Sequence, residues 1–258
     1  MTDNTPSAGN SDLFEYLLRL GDDRLVLGHR LSEWCGHGPI LEEDIALANI
    51  SLDLIGQATL YLHLAGQVEG KGRSEDALAY FRDAVEFRNV QLVELPIGDF
   101  AFTIVRQFLF DAFSFHQLEQ LGKSANSEMA GIAAKGYKEV RYQLRHSSEW
   151  VQRLGDGTEE SHGRAQKALD DLWRFTGEMF HADEIDERLV EARIAADVRE
   201  IEPEWNAVVS DVLRRATLTM PEGIHMMEGG RRGRHTEYLG HMLSEMQIVA
   251  RSHPGAEW

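Results

Sequence analysis

The sequence contains a single cysteine, Cys35, so it can form neither an intramolecular disulfide nor a cysteine-cluster metal site. It has only six prolines in 258 residues, and the long segments between them contain few helix-breaking residues. No alternation of apolar and polar residues runs far enough to indicate a β-strand. These absences together favour an all-α protein.

Basic residues are also scarce, with 26 Lys and Arg against 43 Asp and Glu, for a formal net charge of −17. We expect no nucleic-acid or anionic-membrane binding, because phosphate recognition requires a basic face. No apolar run approaches the roughly 20 residues that a membrane span needs. Residues 1–10 lack the features of a signal peptide and predict a disordered tail. The expected compartment is the cytoplasm.

Apolar residues recur at three- and four-residue steps, which predicts that residues 11–258 form a single helical domain. Pro203 suits the first turn of a helix, and the glycine-rich stretch 220–235 predicts a loop. The predicted helices cover 12–34, 41–66, 75–95, 99–122, 126–154, 163–181, 183–198, 203–217 and 236–252. The predicted core face of the second helix consists of Leu41, Ile45, Ala48, Leu52, Ile55 and Leu62.

Four of these helices carry carboxylates whose spacing is that of a carboxylate-bridged di-iron bundle. Asp23, Asp53, Asp111 and Glu139 are separated by about 30, 58 and 28 residues. In such bundles, Glu-x-x-His pairs on two helices and single carboxylates on the other two hold the metals. The histidines are missing here, because Gly56 follows Asp53 and Tyr142 follows Glu139 at the third position. The pattern indicates a degenerate metal site in a non-catalytic protein.

Polar residues form stripes on two of these helices, and periodicity leaves two interpretations open. Asn49, Asp53 and Gln57 line one stripe, and the second comprises Glu139, Tyr142, Gln143, His146 and Glu149. The stripes are either solvated faces or a buried network that fills the space of the lost metals. In the second case the cations available to pair with the carboxylates are Lys135, Arg106, Arg141, Arg145 and His146.

A competent di-iron oxygenase with unconventional ligands is the alternative. Of the Glu-x-x-His matches, those at Glu159 and Glu222 fall in predicted loops, whereas Glu178 and His181 end a predicted helix. A single such pair is common by chance in a chain with 43 acids and 11 histidines. A generic helical adaptor without any link to oxygenation is a third interpretation.

The stretch GGRRGR at 229–234 stands out against the acidic background. Arg231, Arg232 and Arg234 could contact an acidic partner or bind the phosphates of coenzyme A bidentately. A solvated loop is the simpler interpretation.

With these residues in view, the chain resembles the structural subunits of bacterial phenylacetyl-CoA epoxidases, also called ring 1,2-epoxidases. The resemblance covers nearly the whole chain beyond the first ten residues. It is carried by RLGDDRLVLGHRLSEWCGHGP at 19–39, LEEDIALANISLDLIGQA at 41–58, FAFTIVRQFLFDAF at 100–113, KEVRYQLRHSSEWVQRLGDG at 138–157, LWRFTGEMF at 172–180 and GGRRGRHTEYLGHMLSEMQ at 229–247.

The resemblance implies a ferritin-like, up-down helical bundle with extra C-terminal helices. It implies a complex with the catalytic, PaaA-type subunit, a related bundle that keeps the di-iron ligands, and it leaves open a homodimer within a hetero-oligomer. It also implies a role in aerobic phenylacetate degradation, with no cofactor in this chain and di-iron in the partner. Asp23, Asp53, Asp111 and Glu139 carry over only as remnants of ancestral ligand positions.

Overall fold

The computed structural model describes residues 8–256, which form ten α-helices and three short 3-10 segments and include no strand. The 3-10 segments are Ala84–Glu86, Gly177–Phe180 and Gly230–Arg232. The α-helices are α1 (Ala8–Ser32), α2 (Leu41–Glu69), α3 (Glu75–Tyr80), α4 (Gln91–Glu94), α5 (Phe100–Leu121), α6 (Ser127–Gly155), α7 (Glu159–Trp173), α8 (Glu184–Glu191), α9 (Val198–Arg215) and α10 (Glu237–Ser252).

The four longest helices that carry the predicted carboxylates form the centre of the molecule. Helix α1 packs along α2, α5 packs along α6, and α2 contacts α6. The chain between α2 and α5 is a long crossover that contains α3 and α4. Two helical hairpins joined by one long crossover are the topology of ferritin-like bundles. The predicted all-α, ferritin-like fold is therefore confirmed.

Close packing of α1 on α2 depends on small residues at the contact. A Cβ atom added to Gly21 would lie 2.8 Å from Leu62, and one added to Gly28 would lie 2.8 Å from Ile55. Helices α7 and α9 cover α5 and α6 on the other side of the bundle.

Side-chain caps begin α5 and α6, since Asp99 accepts from the Phe102 N–H and Asn126 accepts from the Met129 N–H.

The predicted core face of α2 is wrong. Leu41, Ile45 and Leu52 are 72%, 52% and 68% exposed, whereas Leu62 is buried. The buried apolar residues of this helix include Leu47, Ile50, Leu54, Ala58, Tyr61 and Ala65. Because apolar residues surround the whole helix, periodicity alone could not distinguish the face that packs inward from the face that does not.

The predicted helix over 75–95 is broken into α3, a 3-10 turn and α4, with extended residues between them. Carboxylates from α1 bind the backbone of this segment. Asp22 accepts from the Arg88 N–H at 2.8 Å, and Asp23 accepts from the Val90 N–H at 2.8 Å. These N–H groups therefore cannot make the i→i−4 bonds of a continuous helix.

Other predicted boundaries also shift. Helices α7 and α8 end earlier than predicted, and α9 begins at Val198, so Pro203 lies inside it rather than in its first turn. Residues 8–10 of the predicted disordered tail belong to α1, and the rest of that tail lies outside the described residues.

By length and composition, α2 also qualifies as a membrane-spanning segment, contrary to the expectation from its sequence. It is the single such helix in the described part of the chain. Its most apolar 18-residue window is 44% buried within the fold, against α1 and α6. A core helix of a bundle passes the same test.

Candidate functional site

An arginine lies at the centre of the four-helix bundle. The side chain of Arg24, on α1, is completely buried. Its Nε donates to Gln57 Oε1 on α2 at 2.9 Å, and its Nη2 lies 3.3 Å from both Ser114 Oγ and Gln117 Oε1 on α5. The guanidinium also lies 5.1 Å from the ring centroid of Tyr61. A fixed cation thus binds together three of the four bundle helices.

The network continues to the fourth helix through glutamines. Gln57 Nε2 donates to Glu139 Oε2 on α6 at 2.8 Å. Gln143, also on α6, donates through Nε2 to Asp53 Oδ2 on α2 at 3.2 Å. Burial raises the pKa of Asp53, and the Gln143 hydrogen bond opposes that rise. Glu139 is therefore linked to Arg24 through Gln57, whereas Asp53 pairs with Gln143 one helical turn away on the same two helices.

The third carboxylate, Asp111, forms a separate buried cluster between α5 and α6. Its two oxygens accept from Gln107 Nε2 and from Ser147 Oγ, each at 2.7 Å. Neither partner is charged, and the carboxyl group is buried. Burial raises the pKa of Asp111 to about 7, against the weaker opposing effect of the two hydrogen bonds.

The fourth carboxylate, Asp23, does not join this group. It binds the Val90 N–H and forms an ion pair with Arg231, at 3.0 Å to Nη1 and 2.8 Å to Nη2. Burial raises the pKa of Asp23, and the Arg231 guanidinium opposes the rise. Its neighbour Asp22 pairs with the buried Arg82. The structure thus separates Asp23 from the other predicted carboxylates, because the residue of this α1 turn that points into the bundle is Arg24.

The predicted positions of the lost histidines are also wrong. A Cβ added to Gly56 would have no atom within 4 Å, and Tyr142 is 60% exposed. The buried polar residues stand one position later on each helix, at Gln57 and Gln143. A shift of one residue rotates the inward direction by about 100° around a helix, which explains why neither predicted position lies in the interior.

The two polar stripes are neither wholly solvated nor wholly buried. Gln57 and Gln143 are buried, Asp53 and Glu139 are half-buried, and Glu149 is exposed. Of the cations suggested to pair with the carboxylates, His146 contacts Glu43 at 2.9 Å, and Arg145 forms an exposed pair with Glu149. Arg106 is buried among backbone carbonyls, where burial lowers its pKa to about 9. None of these cations is bonded to the four predicted carboxylates.

A di-iron centre does not fit these residues. Such a centre needs carboxylates and neutral imidazole nitrogens converging on one point. Between these four helices the converging groups are the guanidinium of Arg24, amides, hydroxyl groups and separated carboxylates. Among residues 8–256, no three histidine, cysteine or acidic side chains are grouped to hold a metal ion.

The alternative ligand pair has a different use. Glu178 is buried and accepts three backbone N–H groups, from Gln91 at 3.0 Å, Gly229 at 2.8 Å and Arg231 at 3.3 Å. His181 is exposed beyond the 3-10 turn that carries Glu178. Oε1 of Glu178 thus binds the loop that precedes α10, and Oε2 binds the first residue of α4.

The three arginines of this loop have unequal environments. Arg231 is committed to Asp23 and to the carbonyl oxygens of Arg19 and Arg88. Arg232 and Arg234 are exposed. Of the three residues predicted for phosphate or partner contact, Arg231 therefore has a role within the fold.

Comparisons with known proteins identify the family of the chain. A family model described as phenylacetic acid catabolic protein matches residues 1–258. The chain belongs to the phenylacetic acid catabolic protein family. Within that family it is similar to a subunit of the 1,2-phenylacetyl-CoA epoxidase of Escherichia coli (strain K12), at 49% identity over 248 residues. That match covers 96% of this chain and 100% of the relative, which confirms the predicted resemblance.

Arg24 is the residue that sequence reasoning about this phenylacetic acid catabolic protein missed. On α1, Arg24 stands in the middle of a run of buried leucines, after Leu17 and Leu20 and before Leu27 and Leu31. The spacing of three, four, three and four residues marks one face of a helix. A charged residue in the middle of that face was a readable sign of a buried polar network.

Proposed function

We propose that this chain is a non-catalytic structural subunit of a multicomponent phenylacetyl-CoA epoxidase. In this proposal it supports a di-iron catalytic subunit during aerobic phenylacetate catabolism, and it contains no cofactor of its own. The compartment that we propose is the cytoplasm. The similarity to a subunit of a known epoxidase supports the assignment to the complex.

The position of Arg24 is the observation that carries the non-catalytic role. Its guanidinium lies where four helices converge and is bonded to α2 and α5. A cation fixed there repels metal ions. It also donates hydrogen bonds to the amide oxygens of Gln57 and Gln117, which are therefore not free to bind a metal. The polar layer therefore acts to hold the bundle together, and the contribution of the chain to catalysis comes through its surface.

The exposed face of α2 is the surface that we propose for the partner. Leu41, Ile45 and Leu52 lie on one side of the helix at steps of four and seven residues, and each is more than half exposed. Tyr142, on the adjoining helix α6, is 60% exposed. Apolar side chains grouped in this way on a protein surface indicate a protein interface. A helix of the related catalytic bundle fits a long, straight apolar stripe.

Leu52→Glu should abolish or strongly weaken assembly with the catalytic subunit, because it places a charge in the desolvated centre of the interface. Co-expression of the two subunits followed by size-exclusion chromatography measures this. Ile248→Glu on α10 is the matched control, since Ile248 is 60% exposed and lies on a different surface.

Assembly of the Leu52→Glu chain at the wild-type level would contradict the α2 interface. Failure of the wild-type chain to assemble with a di-iron subunit from the same host would favour the generic adaptor. The same chromatogram reports whether a second copy of this chain is present in the complex.

A further inference from the structure

Helix α6 is the single α-helix among residues 8–256 with a net positive charge. It carries five cations and three carboxylates, whereas each of the other nine α-helices has more acidic than basic residues. In a chain of net charge −17, positive charge is thus concentrated on one element of the fold. The cations of α6 are Lys135, Lys138, Arg141, Arg145 and Arg153.

The two lysines of α6 have no carboxylate partner in the described part of the chain. The lysines that form ion pairs there are Lys71 and Lys167, whereas Lys135 and Lys138 are exposed and unpaired. The carboxylate one turn after Lys135 belongs to Glu139, which accepts from Gln57 on α2 instead. The fold therefore turns the nearest acidic side chain inward and leaves the lysines facing outward.

The exposed cations of α6 also repel one another. Arg141 stands three residues after Lys138 and four before Arg145, and all three are exposed. Residues at these steps are neighbours on a helix surface, and like charges there destabilise the helix. Arg145 has a partner in Glu149 at 3.0 Å. Carboxylates supplied by another protein would offset the repulsion that remains.

The lysines lie beside the apolar stripe of α2. Helices α2 and α6 are joined by the hydrogen bond between Gln143 and Asp53 at 3.2 Å, and the charge of Lys135 opposes the rise that burial causes in the pKa of Asp53. Tyr142, 60% exposed, stands between Lys138 and Arg145 in the same outward line. An apolar centre with a charged rim is the composition of a protein interface.

We propose that the catalytic subunit presents a carboxylate-bearing surface to α6, beside its apolar contact with α2. The inference rests on the proposed function, because it takes its partner from that complex. The outward face of α6 continues the α2 stripe, so one partner covers both. Opposite charges at the rim of an interface orient the partner and speed the encounter more than they raise affinity.

Cross-linking of the assembled complex identifies the groups that face α6. A zero-length carbodiimide joins a lysine amine to a carboxylate where the two are in contact, and the chain has five lysines. We expect cross-links from Lys135 and Lys138 to aspartate or glutamate of the catalytic subunit, located by mass spectrometry. Lys167, 75% exposed on α7, is the internal control and should give none to that subunit. Cross-links of Lys135 and Lys138 to a second copy of this chain, or none from either, would overturn the proposal.

Charge reversal tests the same contact through its rate. Lys138→Glu should lower the association rate constant with the catalytic subunit about three- to tenfold at low salt, with little change in the dissociation rate constant. The difference should disappear near 1 M salt, where charges are screened beyond about 3 Å. Lys167→Glu is the matched control, because it makes the same change of charge at an exposed lysine on the other side of the bundle. Equal association rate constants for the two variants would contradict an acidic surface on the partner.

The outcomes separate this inference from the proposed function. Assembly of the wild-type chain without the cross-links and the rate effect would overturn the role of α6 and leave the structural role standing. Failure of the wild-type chain to assemble with a di-iron subunit would overturn both.

Discussion

Arg24 is a single buried side chain that links three helices of the bundle. Its guanidinium donates to a backbone carbonyl on α1 and to side chains on α2 and α5, so its charge is dispersed over several acceptors. A buried charge is tolerated only with such partners, and removing one member leaves the others unsatisfied. Removing any one member is therefore expected to lower the free energy of unfolding by more than the loss of a single hydrogen bond.

Arg24→Ala should lower the free energy of unfolding by about 3–5 kcal/mol, because it leaves a cavity and strands buried amide and hydroxyl groups. Urea denaturation followed by circular dichroism measures the loss. Arg24→Met, which keeps most of the volume, should cost less. A change below about 0.5 kcal/mol for the alanine variant, the range of surface substitutions, would show that the network contributes little.

Asp111 makes a pH-dependent contribution that follows from its raised pKa. The folded chain keeps the proton up to about pH 7, whereas the unfolded chain releases it near pH 4. The stabilisation is therefore present in full below pH 4 and is lost as pH rises through 7. Asp111→Asn removes this dependence.

Between pH 5 and pH 8 the stability of Asp111→Asn should improve by about 2–3 kcal/mol relative to the wild type. Urea denaturation of both chains at the two pH values checks this. Glu202→Gln, at an exposed position of α9, is the control and should show no comparable change. A relative stability independent of pH would mean that Asp111 is already ionised at pH 5.

At the scale of elements, buried carboxylates bind the backbone of segments that are distant in sequence. Asp22 and Asp23 hold residues 88–90 in an extended path, and Glu178 holds the arginine-containing loop. The sequence predicted one helix over 75–95, which the structure shows as α3, a 3-10 segment and α4. Periodicity could not indicate that the backbone N–H groups of this segment bind carboxylates more than 60 residues away in sequence.

Glu178→Ala should release the loop that Glu178 binds through the N–H groups of Gly229 and Arg231. Trypsin cleaves after arginine, so the variant should be cut within 231–234 much faster than the wild type. Mass spectrometry of timed digests locates the cut. Glu228→Ala is the matched control, since Glu228 is an exposed carboxylate in the same loop. Equal cleavage rates would show that Glu178 does not hold the loop.

At the scale of the whole molecule, the sequence predicted the helices of the bundle better than it predicted which face of each helix packs inward. Helices α1, α5 and α6 lie within a few residues of their predicted bounds. Helix α2 has apolar residues on both its inward and its outward side, so periodicity places its outward stripe of Leu41, Ile45 and Leu52 in the core. The three-residue step of the Glu-x-x-His pattern pointed to Gly56 and Tyr142, whereas the buried polar residues are Gln57 and Gln143.

The ambiguity of α2 has a functional meaning. Under the proposed function, α2 buries one face in its own bundle and the other against a partner. Apolar residues on both sides leave periodicity unable to separate the two faces. The carboxylate spacing was informative about the fold, but it did not reveal that Arg24 is buried at the centre.

The central claim is that this chain supports a di-iron enzyme without binding iron itself. Elemental analysis of the full-length chain purified alone, and of its complex with the catalytic subunit, tests it most directly. We predict no stoichiometric iron in the chain alone, and iron in the complex in proportion to the catalytic subunit only. About two irons per chain in the isolated protein, the content of an intact di-iron bundle, would contradict the account.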